Sequence, residues 1–430
     1  MKHLISIYLF LLIFRPYEYW PQLGSLYIQK VFMILLLICA FVYRDKRFRM
    51  DTLHLWLFVL VLSLLLSTAT AWDVPLAWEM TVKYLKVMVF YLVLVMTVHG
   101  QERLEYVAKA MLVVTMIYVG KSAWEFFVHG RYVWRMGIAR MIGIDQTYAM
   151  PNAFAATICY SLPLLWAVLG KGLTKRWMRL AMLGYGVLAP ICIVMTGSRS
   201  GMVTALLFVA MISWRAKRKI GVAVLSVAIL LVGWQFVPEM QQRRFMSIFN
   251  PEVGPAAEWA EQSAEGRLQG LLHGLELFTQ HPVSGVGPNN TRRTWYGGDG
   301  PQAHNLVGQV IGELGGVGFV AFFGFIAAIF LRLRATVRLA DKRLAKEPDP
   351  PLERTLVFNR RLALAGQMII VLMLFNGLFG HNMFRYNWLF VAFFALASSE
   401  VVRGEASQGA GERESERFCG EDMEYARCRA

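Results

Sequence analysis

Apolar residues along this chain do not alternate with polar ones. They run on for the length of a membrane span, then stop at a short charged or aromatic break. A bilayer core about 30 Å thick takes about 20 such residues in a helix. The runs fall at roughly 3–15, 26–43, 53–71, 80–98, 106–127, 152–169, 179–196, 200–214, 220–237, 305–331, 362–380 and 387–402, twelve in all. The first and eighth are short, and the eighth reads as a broken or tilted helix. One polar interruption, from about Pro238 to Ala303, is far longer than the rest. Lipid cannot satisfy irregular backbone, so this segment lies outside the membrane. The pattern predicts an all-α polytopic membrane protein. Its parts are 1–237 (N-terminal spans), 238–304 (a large outer loop), 305–402 (C-terminal spans with a cytoplasmic linker at 332–361) and 403–430, a disordered tail.

Composition sharpens this picture. The 430 residues are 56% hydrophobic, too apolar for a soluble chain of this length. The net charge of +15 would suggest nucleic acid in a soluble protein. Here Lys and Arg set topology instead, and no nucleic-acid partner is expected. Leu4–Phe14 is followed by Arg15-Pro16-Tyr17 and reads as a span, not a cleaved signal. Cys39, Cys159 and Cys192 lie in apolar runs, and Cys419 and Cys428 in the tail, so neither a metal site nor a disulfide framework is expected.

Charge also divides the connections. Those at 44–49, 171–179, 215–219 and 332–361 are dense in Lys and Arg. The positive-inside rule places them, the 99–105 turn and both termini in the cytoplasm. The opposite connections carry Arg but no Lys: Arg15, Arg131, Arg135, Arg140, Arg199, Arg243, Arg244, Arg267, Arg292, Arg293 and Arg385. Two readings fit. Interfacial anchoring is one; the other is recognition of phosphate or carboxylate, which the planar guanidinium fork suits better than an ammonium.

Three outward motifs stand out. Gly197-Ser198-Arg199-Ser200-Gly201 joins two spans. The glycines suit close helix approach, whereas a cation so near membrane depth needs a partner or a watery cavity. Next, Leu268, Leu271, Leu272, Leu275 and Phe278 mark an amphipathic helix at the membrane surface or on the bundle, with Arg267 opening it away from the Leu stripe. It is followed by His281-Pro282-Val283-Ser284-Gly285-Val286-Gly287, a turn. Last, Ala303-His304-Asn305 precedes an apolar helix containing Glu313-Leu314-Gly315-Gly316-Val317-Gly318. Asn305 is a candidate N-cap, and Glu313 either pairs with an Arg or helps pack the Gly-rich helix. Trp72, Trp78, Trp134, Trp295 and Tyr296 fit an interfacial belt or a sugar-stacking surface.

In that order, these motifs resemble the O-antigen ligase and polymerase superfamily, over about a third of the chain (Thr196 to Gly318). The helix after His304 departs slightly, reading Glu-Leu-Gly-Gly-Val-Gly. The resemblance implies a GT-C-like glycosyltransferase of the bacterial inner membrane, active on the periplasmic face without metal or cofactor. Its donor would be a glycan on undecaprenyl diphosphate; its acceptor, lipid A–core or a growing glycan; its other partners, membrane lipids. Carried over, Arg199 and Arg267 hold the donor diphosphate and His304 is the general base or orients the acceptor. His281 shapes the loop or adds a polar contact. Arg292, Arg293, Arg135, Arg140 and Glu313 form a possible secondary set. Ligation onto lipid A–core is favoured for the compactness of the loop, with polymerisation and transfer to protein as variants. A flippase for the same lipid-linked glycan is the alternative from another class.

Overall fold

The computed structural model describes residues 1–170, 174–216, 218–253, 257–292 and 304–404. It is mostly helical. The helices are α1 (Lys2–Ile13), α2 (Pro16–Tyr19), α3 (Pro21–Gly24), α4 (Ile28–Val42), α5 (Thr52–Ala69), α6 (Val74–Thr97), α7 (Gln101–Phe127), α8 (Pro151–Val168), α9 (Arg176–Met195), α10 (Arg199–Arg215), α11 (Lys219–Trp234), α12 (Glu239–Met246), α13 (Ala257–Gln280), α14 (Leu306–Leu344), α15 (Pro350–Gly377) and α16 (387–404). Every one of the twelve apolar runs forms helix. Among the described residues, eight helical segments are long and apolar enough to cross a membrane. The expected count of twelve exceeds this because a helix rises only about 1.5 Å per residue. At 12 residues α1 falls well short of a bilayer core, and α10 and α11, with 17 and 16, are marginal. The fourth, α16, is long enough but turns polar in its second half, with Ser398, Ser399, Glu400 and Arg403.

Side chains from α5, α7, α8, α14, α15 and α16 fill one apolar core around Trp388, Phe322, Phe325 and Phe154. At the rim, α11 has no buried residue and α4 leaves Ile34, Ile38 and Phe41 exposed, as lipid-facing surfaces do. The connections gather at two opposite ends. One end joins 45, 101–103, 341 and 359–361 through Arg103–Asp45, Gln101–Asn359 and Arg360–Asp341 contacts. The other joins 72–73, 140, 196–199, 244–247, 281 and 290.

Two expectations need correction. Residues 332–361 are not a linker: α14 continues to Leu344 and α15 starts at Pro350. The buried stripe continues past the membrane run through Leu333, Thr336 and Ala340, and Ala340 packs with Leu356 and Val402. Pro350 sits at the helix start, where its missing N–H costs little. The chain is also not purely helical. Tyr132–Arg135 (β1) and Ile138–Met141 (β2) pair antiparallel, with Val133 opposite Arg140. The Leu stripe of α13, expected at the membrane surface or on the bundle, faces outward and not into the bundle. Leu268, Leu272 and Leu275 are exposed, while Gly270, Gly274 and Leu277 are buried. The tail from 405 onward lies outside the described residues, as do Trp295 and Tyr296.

Candidate active site

The site is built from three backbone junctions. At the first, α9 ends on Thr196, and Gly197 turns the chain in the left-handed region (φ +56°). A Cβ on Gly197 would stand 2.6 Å from Ile138 Cδ1, and one on Gly201 2.6 Å from Ala155 Cβ, so both positions need glycine for close packing. Ser198 Oγ caps α10 by accepting from Gly201 N at 3.1 Å. The last carbonyls of α9 are taken by two arginines. Arg140 Nε donates to Thr196 O at 2.7 Å, and Arg244 Nε donates to Gly197 O at 2.8 Å. Cations suit this end of a helix, where carbonyls lack partners and the dipole is negative. Arg199, the first residue of α10, donates to Ser247 Oγ and O at 3.4 and 3.5 Å.

The second junction is the crossing of α13 and α14. A Cβ on Gly274 would lie 2.3 Å from Gly308 O, and one on Gly308 2.3 Å from Gly270 O. The helices therefore touch backbone to backbone. Arg267 is one turn before Gly270 on the same face, so this contact aims it at the bundle. Its guanidinium lies 5.2 Å from the centroid of the Phe379 ring. His304 directly precedes Asn305, whose Oδ1 caps α14 by accepting from Val307 N and Gly308 N. The His304 ring packs on His381, with centroids 5.7 Å apart.

At the third junction α14 is broken. Gly315 adopts φ +64°, ψ −164°, and a Cβ there would lie 2.5 Å from Val283 O. The turn from Pro282 to Gly287 splints the break: Val286 N donates to Gly312 O, Gly287 N to Glu313 O, and Gly316 N to Pro282 O. Backbone groups freed by the break are thus satisfied by the loop. Glu313 is buried and accepts from Thr291 Oγ1 at 3.1 Å and Gln309 Nε2 at 3.5 Å. It contributes to the splint through neutral donors, not through the Arg pairing that was one of its two expected roles.

Around the first two junctions, cations crowd. Burial, then Arg244, Arg135 and Arg199 push the Arg140 guanidinium down to about 9. Burial, then Arg199 and Arg267 push Arg244 down to about 10. Arg267 is lowered by burial and by Arg199. These groups remain cations near neutrality; the direction measures the cost of gathering like charges. Among the described residues, every charge acting on these three is positive. Both histidine rings keep accessible surface while protein surrounds them, as in a recess. That enclosure, with Arg267 and Arg135, holds His304 below its usual value, so the neutral imidazole prevails at neutral pH. Such a surface can bind a multiply charged anion beside a neutral base. Among the described residues, no three His, Cys, Asp or Glu side chains converge as metal ligands do.

Of the residues singled out from sequence, Arg135, Arg140, Arg199, Arg267 and His304 share this field. His281 stands apart, accepting from Trp72 Nε1 at 3.3 Å at the start of the splint. Arg292 is exposed next to buried Thr291, and Arg293 lies outside the described residues. Sequence reasoning passed over Arg244 as a site residue, and over Ser247, Phe379 and His381. Two had a signal: Arg244 in the run of outward arginines without Lys, and His381, since His381-Asn382 repeats the His304-Asn305 pair.

No curated protein matches the chain. Residues 184–323 match the family model described as O-antigen ligase, a range enclosing all three junction motifs from the Gly197 turn to the broken helix. Over that third of the chain the protein is similar to the O-antigen ligase family, consistent with the O-antigen ligase and polymerase superfamily.

Proposed function

We propose that the protein transfers an oligo- or polysaccharide from undecaprenyl diphosphate to an acceptor hydroxyl on the periplasmic face of the bacterial inner membrane, as a ligase onto lipid A–core. One observation carries this reading: buried Arg140 and Arg244 and half-buried Arg199 and Arg267, from a β-hairpin, a turn and two loop helices, crowd beside a neutral histidine, and among the described residues the charges acting on Arg140, Arg244 and Arg267 are all positive. Crowding of this kind is unfavourable until an anion is shared among the cations. A diphosphate is such an anion, and guanidinium forks match its oxygens.

Arg199 and Arg267 hold the donor diphosphate, and Arg140 and Arg244 add to the field while bracing the turn. His304 accepts the proton of the acceptor hydroxyl as its oxygen attacks the anomeric carbon. The bond from that carbon to the phosphate oxygen breaks, and the electron pair leaves with the lipid diphosphate. Charge grows on the leaving group in the transition state, so fixed cations in a partly dry recess favour that state over the ground state. Attack opposite the diphosphate inverts the anomeric centre.

Reconstitution of the pure protein with an undecaprenyl-diphosphate-linked repeat tests the reading. A single shifted product that requires lipid A–core is expected. A ladder of longer lipid-linked glycans without it would make the protein a polymerase. Donor crossing the bilayer with no covalent product would replace both by a transporter.

A further inference from the structure

The connection between α15 and α16, residues 378–386, touches both halves of the site. Phe379 lies beneath the guanidinium of Arg267 at 5.2 Å, and His381, two residues on, packs on His304 at 5.7 Å between centroids and 39° between planes. Both distances fall in the range of attractive cation–π and ring–ring contacts. Arg267 and His304 come from different elements, α13 and the start of α14. This loop is what they have in common.

The loop is also held firmly. Asn382 Nδ2 donates to Met373 O at 2.7 Å, and Trp388 Nε1 donates to Asn382 O at 3.0 Å. Arg385 donates to Thr157 Oγ1 at 2.9 Å and Ala153 O at 3.1 Å, and stacks on Tyr148 at 4.5 Å. Four anchors in so short a segment, two of them on α8, fix the two rings relative to the core. Phe379 and His381 themselves are left to face the site. A loop that needed only to connect two helices would have no reason to present an aromatic ring to each of two separate polar side chains.

We propose that residues 378–386 form an aligning wall of the active site, in which Phe379 is a positioning residue for Arg267 and His381 a positioning residue for His304. The inference rests on the transferase reading above. The ring of His381 fixes the plane of the His304 imidazole, so that its basic nitrogen meets the acceptor hydroxyl. The ring of Phe379 holds the Arg267 fork flat towards the donor diphosphate. The charged and titratable groups facing the histidine pair are Arg267 from α13, Arg135 from β1 and Arg385 from the loop itself. All are cations and favour neutral imidazoles on both sides of the contact, so ring packing rather than an ion pair joins them.

The two contacts act on different kinetic parameters, and that split is the test. In the reconstituted full-length protein, His381→Ala lowers kcat by about ten- to a hundredfold, the range expected when a catalytic group is misoriented, with donor KM within about twofold. His381→Phe keeps a ring in place and recovers most of kcat. Phe379→Ala raises donor KM and the Kd for an undecaprenyl-diphosphate-linked glycan by roughly tenfold with little change in kcat, and Phe379→Tyr restores binding. Thermal unfolding of each variant in detergent accompanies the assays. Wild-type kinetics in both alanine variants would overturn the proposal. So would equal loss of kcat and affinity in the alanine and ring-preserving variants together with a lowered Tm, since that marks a merely structural loop. His304→Ala, run in parallel, tests the parent reading. If it turns over normally, His304 is not the base and the His381 role falls with it, whereas a dead His304→Ala beside a normal His381→Ala rejects the wall alone.

Discussion

The two ends of the helix bundle treat their cations in opposite ways. At one end Lys2 meets Glu102, Arg103 meets Asp45, Arg332 meets Asp51, Lys109 meets Glu105 and Arg360 meets Asp341. At the other end Arg15 and Arg243 also pair, with Glu18 and Glu239. Arg140 and Arg244 do not follow that pattern; they donate to the carbonyls just past the end of α9, Arg140 is repelled by Arg244, and Arg244 by Arg267. A paired surface cation is a structural and topological device worth little energy. A crowded, half-desolvated one is costly to the fold and is explained by what it binds. Charge counting alone cannot separate the two kinds, because both are Arg at the ends of apolar runs.

The sharpest way to break this contrast is to remove a fork while keeping its charge. Arg199→Lys and Arg267→Lys should each lower kcat/KM for transfer by about a hundredfold or more, as loss of an oriented transition-state contact does. Arg103→Lys, at the paired end, should stay close to wild type in the same assay. Equal effects at both ends would dissolve the distinction. Next in size is the glycine crossing that aims Arg267. Gly274→Ala forces a methyl group against the backbone of α14, and should cost roughly 1–3 kcal/mol in thermal or denaturant unfolding, with activity falling alongside. Unchanged stability would mean that the helices are not in backbone contact.

A subtler test reads the field at His304. Burial, Arg267 and Arg135 all lower its pKa, so the base stays neutral to lower pH than a free histidine. The acid limb of the kcat/KM profile should lie below about 6.5. Arg135→Gln removes a positive neighbour, makes protonation easier and should move that limb up towards neutrality. The sign for stability is the same: a depressed histidine contributes less as pH falls through the region between its folded and unfolded values. A limb that does not move would place Arg135 away from the base. Smallest of all, Asp341→Asn at the paired end should change stability by no more than about 1 kcal/mol and transfer not at all.

Much of this architecture was legible along the chain because it is periodic or local. The spans follow from uninterrupted apolar runs, and Arg267 was rightly set off the Leu stripe, since helical phase places it with Gly270 and Gly274. The same phase left open whether the leucines meet the membrane surface or the bundle; here the glycine face docks and the leucines point outward. The Val133–Arg140 pairing, the Arg244 bond to the Gly197 carbonyl and the Phe379 platform under Arg267 join segments far apart in sequence. No period or spacing encodes such meetings. The 332–361 region misled for another reason: a dense run of basic residues with prolines looks like a linker, yet it also suits helix whenever a buried stripe runs beneath it.

The splint across the broken helix bears on how the chain is made. Residues 282–287 and the break at Gly315 lie close along the sequence, so they can join as soon as α14 has entered the bilayer. The rings of Phe379 and His381 arrive only with the stretch between α15 and α16, later in synthesis. During biogenesis the protein would thus hold its arginine turn and its splinted helix before its histidine has a wall to rest on. Assembly order would then keep the nascent protein idle until α16 is in place.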